Sequence, residues 1–276
     1  MCKATRPLQT YETCTTRLYS LPEVTTTVAR KWPASVFDQV VSETRSQSTD
    51  GYRYGFKNVV TPGDILNAHP EIWPFSNVFA DYYKKFARPL PRPIDASDPS
   101  KSLKIDAVFV YNDPRDWGLD ATVILDLLLS SRGILGTISD KNGSKDLPNR
   151  GYQQDGQPPL YFSNPDLWWA AKYHLPRLGQ GGFREALEGL WSAVTGGEKN
   201  GVRLQKTVIG KPHQGTYEFA EKRLRQHRDH LAGGVSSVPL RKVYMVGDNP
   251  GRSAFPNGDG TRLTSYRIRY SRWKYV

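Results

Sequence analysis

Between residues 105 and 250, short apolar runs alternate with longer stretches of helical period, and that alternation constrains the chain more than any other feature. Residues 105–111 (Ile-Asp-Ala-Val-Phe-Val-Tyr) read as a buried strand closed by the polar turn 112–116. A helix is predicted next, with Leu119, Val123, Ile124, Leu127 and Leu128 on one face at spacings of three and four. A polar loop over 140–158 leads to a strand at 160–162, which ends in Ser163-Asn164-Pro165-Asp166. The second predicted helix covers 182–194 and turns Phe183, Ala186, Leu187, Leu190 and Trp191 inward. A strand at 207–209, a turn at Gly210-Lys211-Pro212, a helix at 216–230, a strand at 243–246 and a turn at Gly247-Asp248-Asn249-Pro250 repeat the pattern. Parallel strands need crossover connections, so strands separated by helices imply βαβ units and a parallel sheet. The expected fold class is α/β, with a ligand crevice beyond the C-terminal ends of the strands.

The flanks are less regular. Residues 1–50 show no sustained period, although 34–41 read as a short helix. A β-type run at 54–60 is followed by Thr61-Pro62-Gly63-Asp64, read as a turn in which Asp64 caps a helix starting at Ile65. Pro89, Pro91, Pro93 and Pro99 mark 89–100 as a linker or exposed loop. After Gly251 the alternation is lost, and Tyr266, Arg267, Arg269, Tyr270, Arg272, Trp273 and Lys274 form a basic, aromatic tail.

Charge and cysteine usage exclude several classes. The net charge of +11 would suggest a nucleic-acid partner, but Arg252, Arg262, Arg267, Arg269, Arg272 and Lys274 face Asp259 alone, so the tail carries much of the excess. No nucleic acid is expected. Cys2 and Cys14 are the only cysteines, which argues against a disulfide framework or a zinc site. No apolar run reaches the roughly 18 residues of a transmembrane segment.

Two turns could carry chemistry. Lys211 follows a strand and precedes a helix, where a cation and a helix N-terminus together can neutralise a phosphoryl group; the alternative is a solvated lysine. Asp248 ends an apolar strand, a common place for a Mg²⁺ ligand; the alternative is an Asx-turn or a helix cap.

The segment Ile209-Gly210-Lys211-Pro212 and the segment Val246-Gly247-Asp248-Asn249-Pro250 resemble the third and fourth motifs of haloacid-dehalogenase-like hydrolases. With Tyr54-Gly55-Phe56-Lys57-Asn58-Val59-Val60, Val110-Tyr111-Asn112-Asp113-Pro114-Arg115-Asp116-Trp117, Tyr161-Phe162-Ser163-Asn164-Pro165-Asp166-Leu167 and Gly179-Gln180-Gly181-Gly182-Phe183-Arg184, the chain is similar to the cat-eye-syndrome critical region protein 5 type over about residues 51–250. The resemblance implies a Rossmann-like core with a C2-type cap, as in NagD-like phosphatases. It assigns 51–104 to a core remnant and linker, 105–183 to the cap and 184–250 to the C-terminal part of the core. Residues 1–50 are left uninformative and 251–276 as the tail. It also implies a small phosphorylated substrate, Lys211 as the catalytic cation, Asn164 and Asp166 as substrate-binding residues and Asp248 as the ligand of a Mg²⁺ cofactor. Mitochondrial localisation is implied, with the cytoplasm as the alternative.

The same resemblance demands an Asp-x-Asp pair, nucleophile and acid/base, and no such pair occurs in these 276 residues. The position expected to supply a second acid in the fourth motif holds Ser253. Two readings follow: a Mg²⁺-dependent phosphatase left inactive as written, or a non-catalytic phosphate-ligand or protein-binding relic linked to mitochondrial phospholipid metabolism. Loss of pattern before Tyr54 and after Pro250 is what a truncated or mis-joined gene product would show.

Overall fold

The structure, a computed structural model, describes residues 39–42, 56, 58–75, 79–111, 113–211, 213–235 and 240. The predicted strand at 243–246, Asp248 with its turn, Ser253 and the basic tail lie outside the described residues.

The described chain is an α/β fold around a parallel sheet. In chain order its elements are β1 (Gln39–Ser42), β2 (Asn58–Val60), α1 (Pro62–Ala68), α2 (Ala80–Phe86), β3 (Ala107–Val110), α3 (Trp117–Leu129), β4 (Leu160–Phe162), β5 (Trp168–Trp169), β6 (Arg177–Leu178), α4 (Gln180–Thr195), β7 (Thr207–Val208) and α5 (Gln214–Leu231). Five strands hydrogen-bond in the order β2-β1-β3-β4-β7, and every pairing in that sheet is parallel. The sheet thus runs through segments that the sequence divides between remnant, cap and C-terminal core. Strands β5 and β6 form a separate antiparallel ribbon.

β3 reads Ala-Val-Phe-Val and is buried along its whole length, as a strand covered on both faces must be. Its side chains alternate between two layers. Val108 and Val110 join Val60, Leu160 and Phe162 in the main core, against Leu119, Val123, Ile124, Leu127 and Leu128 of α3 and Phe183, Leu187 and Trp191 of α4. Ala107 and Phe109 face the other way, with Phe56, Val59 and Tyr161. There Phe109 stacks on both Tyr111 and Tyr161, at ring-centroid distances of 5.3 and 4.9 Å.

Three local expectations are corrected. The helix expected over 34–41 gives way at Gln39–Ser42 to a strand, paired on one side with β2 and on the other with β3. Pairing on both sides satisfies backbone groups that a short isolated helix would leave open, so tertiary context overrides local propensity. Helix α1 starts at Pro62, not Ile65, and Thr61 is its cap: the Thr61 hydroxyl accepts the Asp64 N–H at 3.1 Å while the Asp64 carboxylate accepts the Thr61 N–H at 2.9 Å. That reciprocal pair is a capping box with Asp64 at its third position, and Arg88 closes on the buried carboxylate at 3.1 Å. In α4, Ala186 and Leu190 are exposed, because the buried stripe follows the four-residue ridge Phe183, Leu187, Trp191, Thr195.

Candidate functional site

Three strands of the sheet end side by side, and the turns that follow them meet. β7 leads through Ile209, whose N–H donates to the Phe162 carbonyl at 2.8 Å, into Gly210 and Lys211. Gly210 has φ +111, and a Cβ there would collide with the Pro165 ring. Glycine therefore serves both backbone and contact: it lets the lysine turn lie against the Ser163-Asn164-Pro165 turn at the end of β4. The Gly210 N–H donates to the Thr216 hydroxyl at 3.0 Å, and the Gly210 carbonyl accepts from His213 N–H at 2.8 Å. These bonds hold Lys211 at the entry to the 18-residue helix α5, whose N-terminus has no side-chain cap. Lys211 is exposed and has no ion-pair partner among the described residues. An exposed lysine at the entry to a helix without a side-chain cap is a combination suited to an anion.

The β4 turn is fixed from below. Gln180, fully buried at the start of α4, accepts the Asn164 N–H at 2.7 Å and donates to the Ser163 hydroxyl at 3.2 Å. Ser163 passes the chain on, donating to the Tyr111 carbonyl at 2.6 Å at the end of β3. The Asn164 carboxamide oxygen accepts the Asp166 N–H at 2.9 Å, an Asx-turn. Asn164 and Asp166, assigned to substrate, thus lie on the turn that touches the lysine turn, although the Asn164 oxygen is already engaged within the chain.

A residue not singled out in sequence completes this edge. Asp113, just past β3, accepts the backbone N–H of Gln180 and lies near Asp166. It caps α4, whose own N-cap is Gly179; a Cβ on Gly179 would lie 3.0 Å from the Asp166 carbonyl and 3.3 Å from Asp113 Oδ1. Burial raises the Asp113 pKa; the Gln180 N–H opposes that shift and the Asp166 charge adds to it. Asp113 carries one legible signal, a carboxylate three residues past the end of a buried strand; Gln180 carries none, and its role and the cap that Asp113 makes appear only in the fold.

A second acidic pair flanks the edge on α3. Asp116 caps that helix by accepting the Leu119 N–H at 3.3 Å and also accepts the Tyr83 hydroxyl at 3.3 Å. Asp120, one turn on, is buried, and desolvation followed by the Asp116 charge pushes its pKa up to about 8. The Tyr83 phenol is raised as well, chiefly by burial and then by Asp116 and Asp120. These groups join α2 to α3 and point to no ligand.

Of the four residues expected to carry function, the fold brings Lys211, Asn164 and Asp166 to one edge, while Asp248 lies outside the described residues. Among the described residues no group of three or more His, Cys, Asp or Glu is placed to hold a metal ion.

The structure is a parallel α/β sheet with a lysine turn and an Asx-turn packed together at its strand ends, the place where sheets of this class commonly bind ligands. No family model matches the sequence. The mitochondrial hydrolase YKR070W of Saccharomyces cerevisiae is 35% identical over 213 residues, covering 71% of this chain and 54% of the relative. A cardiolipin synthase (CMP-forming) / mitochondrial hydrolase fusion protein of Schizosaccharomyces pombe is 36% identical over 199 residues, covering 72% of this chain and 28% of the relative. The chain is thus similar to proteins named as mitochondrial hydrolases, and it spans about half the length of the first relative and less of the second. A solved structure, hypothetical protein PH1952 from Pyrococcus horikoshii OT3, overlaps 84% of this chain and 56% of its own at TM-score 0.40 and 12% identity, too weak a likeness to bear on fold or function. Among the described residues no helix is long and apolar enough to cross a membrane.

Proposed function

We propose that this chain binds a small phosphate ester at the ends of β4 and β7, with Lys211 and the α5 N-terminus receiving the phosphate and the Asn164–Asp166 turn facing the rest of the molecule. The observation that carries the reading is the seating of Gly210 on Pro165, which brings the lysine turn and the Asx-turn together. Names of the relatives supply the class, mitochondrial hydrolases, one of them joined to a cardiolipin synthase. On that basis we place the ligand in mitochondrial phospholipid metabolism, and from the motif in which it stands we assign Asp248 to a Mg²⁺ ion. Hydrolysis through an aspartyl nucleophile is not expected of these 276 residues, since they hold no Asp-x-Asp pair, and covalent chemistry without its nucleophile loses most of its acceleration.

Calorimetric titration with phenyl phosphate tests the binding reading. Lys211→Ala is expected to weaken binding about tenfold or more, as loss of a charge-assisted contact does. Equal affinity in the variant would remove Lys211 from the site. Mg²⁺-dependent release of phenol that disappears in Lys211→Ala and Asp248→Ala would replace the binding reading with an active phosphatase.

A further inference from the structure

Past the Asx-turn the chain leaves the sheet. Residues 168–178 run Trp-Trp-Ala-Ala-Lys-Tyr-His-Leu-Pro-Arg-Leu, and all but Ala171 are exposed. Its two short strands pair only with each other, Trp168 opposite Leu178 and Trp169 opposite Arg177. Large apolar side chains are rarely left in water this densely unless they mark a contact surface.

The geometry says what kind of contact. Successive strand residues point to opposite faces, so Trp168 and Trp169 lie on opposite sides of the ribbon, and their exposures are 55% and 49%. Leu178, across from Trp168, is 45% exposed. Tyr173 and Leu175 at the tip are exposed too. The ribbon is anchored where it meets the start of α4, with Leu178 beside Gly182 and Trp169 beside Gly179, and the open parts of both indoles and the tip remain for a further surface to cover.

Charge agrees with that phase. The segment contains Lys172, His174 and Arg177 and no acidic residue, whereas α5 sets Glu221 beside Arg225 and Asp229 beside Arg228. The Arg177 guanidinium lies 4.4 Å from the centre of the Tyr173 ring, cation and aromatic presented together. Tryptophan and tyrosine favour the membrane–water boundary because their rings are apolar and their N–H and O–H groups are polar, and flanking cations are drawn to anionic headgroups.

We infer that the β5–β6 hairpin docks this protein peripherally on anionic membrane surfaces, with Trp168 and Trp169 inserted at headgroup depth and Lys172 and Arg177 facing lipid phosphates. Vesicle binding does not depend on the anion site at Lys211, so the two readings stand or fall separately.

Sedimentation of the full chain with phosphatidylcholine vesicles, with and without phosphatidylglycerol, tests this. Wild type is expected to bind the anionic vesicles about tenfold more tightly than the neutral ones. The pair Trp168→Ala/Trp169→Ala should weaken binding by about tenfold again, and Lys172→Glu/Arg177→Glu should abolish the preference for phosphatidylglycerol. Should the alanine variant lose its fold by circular dichroism, quenching of tryptophan fluorescence by brominated lipids that is present in wild type and lost in Trp168→Phe/Trp169→Phe reports the same insertion, since the chain holds five other tryptophans. Wild-type binding unchanged in both variants, absence of binding, or absence of quenching overturns the inference. Self-association without lipid that is lost with the tryptophans overturns it in favour of a second copy.

Discussion

The two loops that flank β4 differ in how they use their polar groups. At its N-terminal end, residues 139–158 consume theirs internally: Asp155 accepts from the Ser139 and Ser131 hydroxyls at 2.8 and 3.1 Å and pairs with Lys141 at 2.9 Å. Asn149 and Gln153, both at positive φ, each clasp one residue of the segment leading into β7, accepting from the N–H of Arg203 and Gln205 and donating to their carbonyls. Their carboxamides act as a substitute strand edge, closing backbone groups that would otherwise invite another chain. At the C-terminal end of β4 the hydrogen bonds through Gln180 only support the turn, and the exposed Lys211 and the tryptophans are left over. One end spends its polar groups on folding; the other is braced so that residues can face outward, as loops at the carboxyl ends of parallel strands commonly do.

The sharpest way to break this contrast is Gly151→Ala in the N-terminal loop. Gly151 has φ +79, and a Cβ would strike the Lys141 carbonyl, so both backbone and space oppose the change. A loss of about 3 kcal/mol in denaturant unfolding is expected, and a loss below about 1 kcal/mol would show that this loop is not a structural clamp.

Gln180→Leu tests the brace at the opposite end. It leaves the Asn164 N–H without its acceptor and should cost about 2 kcal/mol. Phosphate affinity should fall with it, because the Asx-turn is no longer held. Unchanged affinity alongside the stability loss would mean that the turn's position does not matter to the ligand.

Asp120→Asn should show its effect in pH dependence. The folded pKa near 8 lies above the ordinary carboxylate value, so between about pH 4 and pH 8 the folded state holds a proton that the unfolded chain has released. This group's stabilisation is present at low pH and is lost as pH rises through the folded pKa. Asparagine removes the titration, so the variant should gain on wild type by up to about 1.4 kcal/mol per pH unit across that window. A flat difference between the two pH profiles would mean that Asp120 is hydrated and ionised.

The smallest stability effect is expected from Trp168→Ala/Trp169→Ala, about 1 kcal/mol, because about half of each indole is already exposed and little packing is lost. A loss comparable to that of Gly151→Ala would place the hairpin among the folding elements and erase the difference between the two ends.

By itself the sequence determined the parallel α/β class and the buried face of α3, because periods of two and of three to four residues are local signals that survive in a linear chain. It also placed Lys211, Asn164 and Asp166 just past strands, where such sheets bind ligands. It did not reveal β1: four residues carry no period, and Gln39–Ser42 becomes a strand because β2 and β3 pair on either side. Nor did it show that Asp113 caps α4, that Gln180 ties β3's end to β4's, or that Asn149 and Gln153 close the segment before β7. Those partners are separated by 50 or more residues in several of the bonds, as between Asn149 and Arg203 or Ser163 and Tyr111. Only the tertiary structure decides them, because hydrogen bonds between distant residues form where the sheet brings backbones together, and no local pattern encodes that meeting.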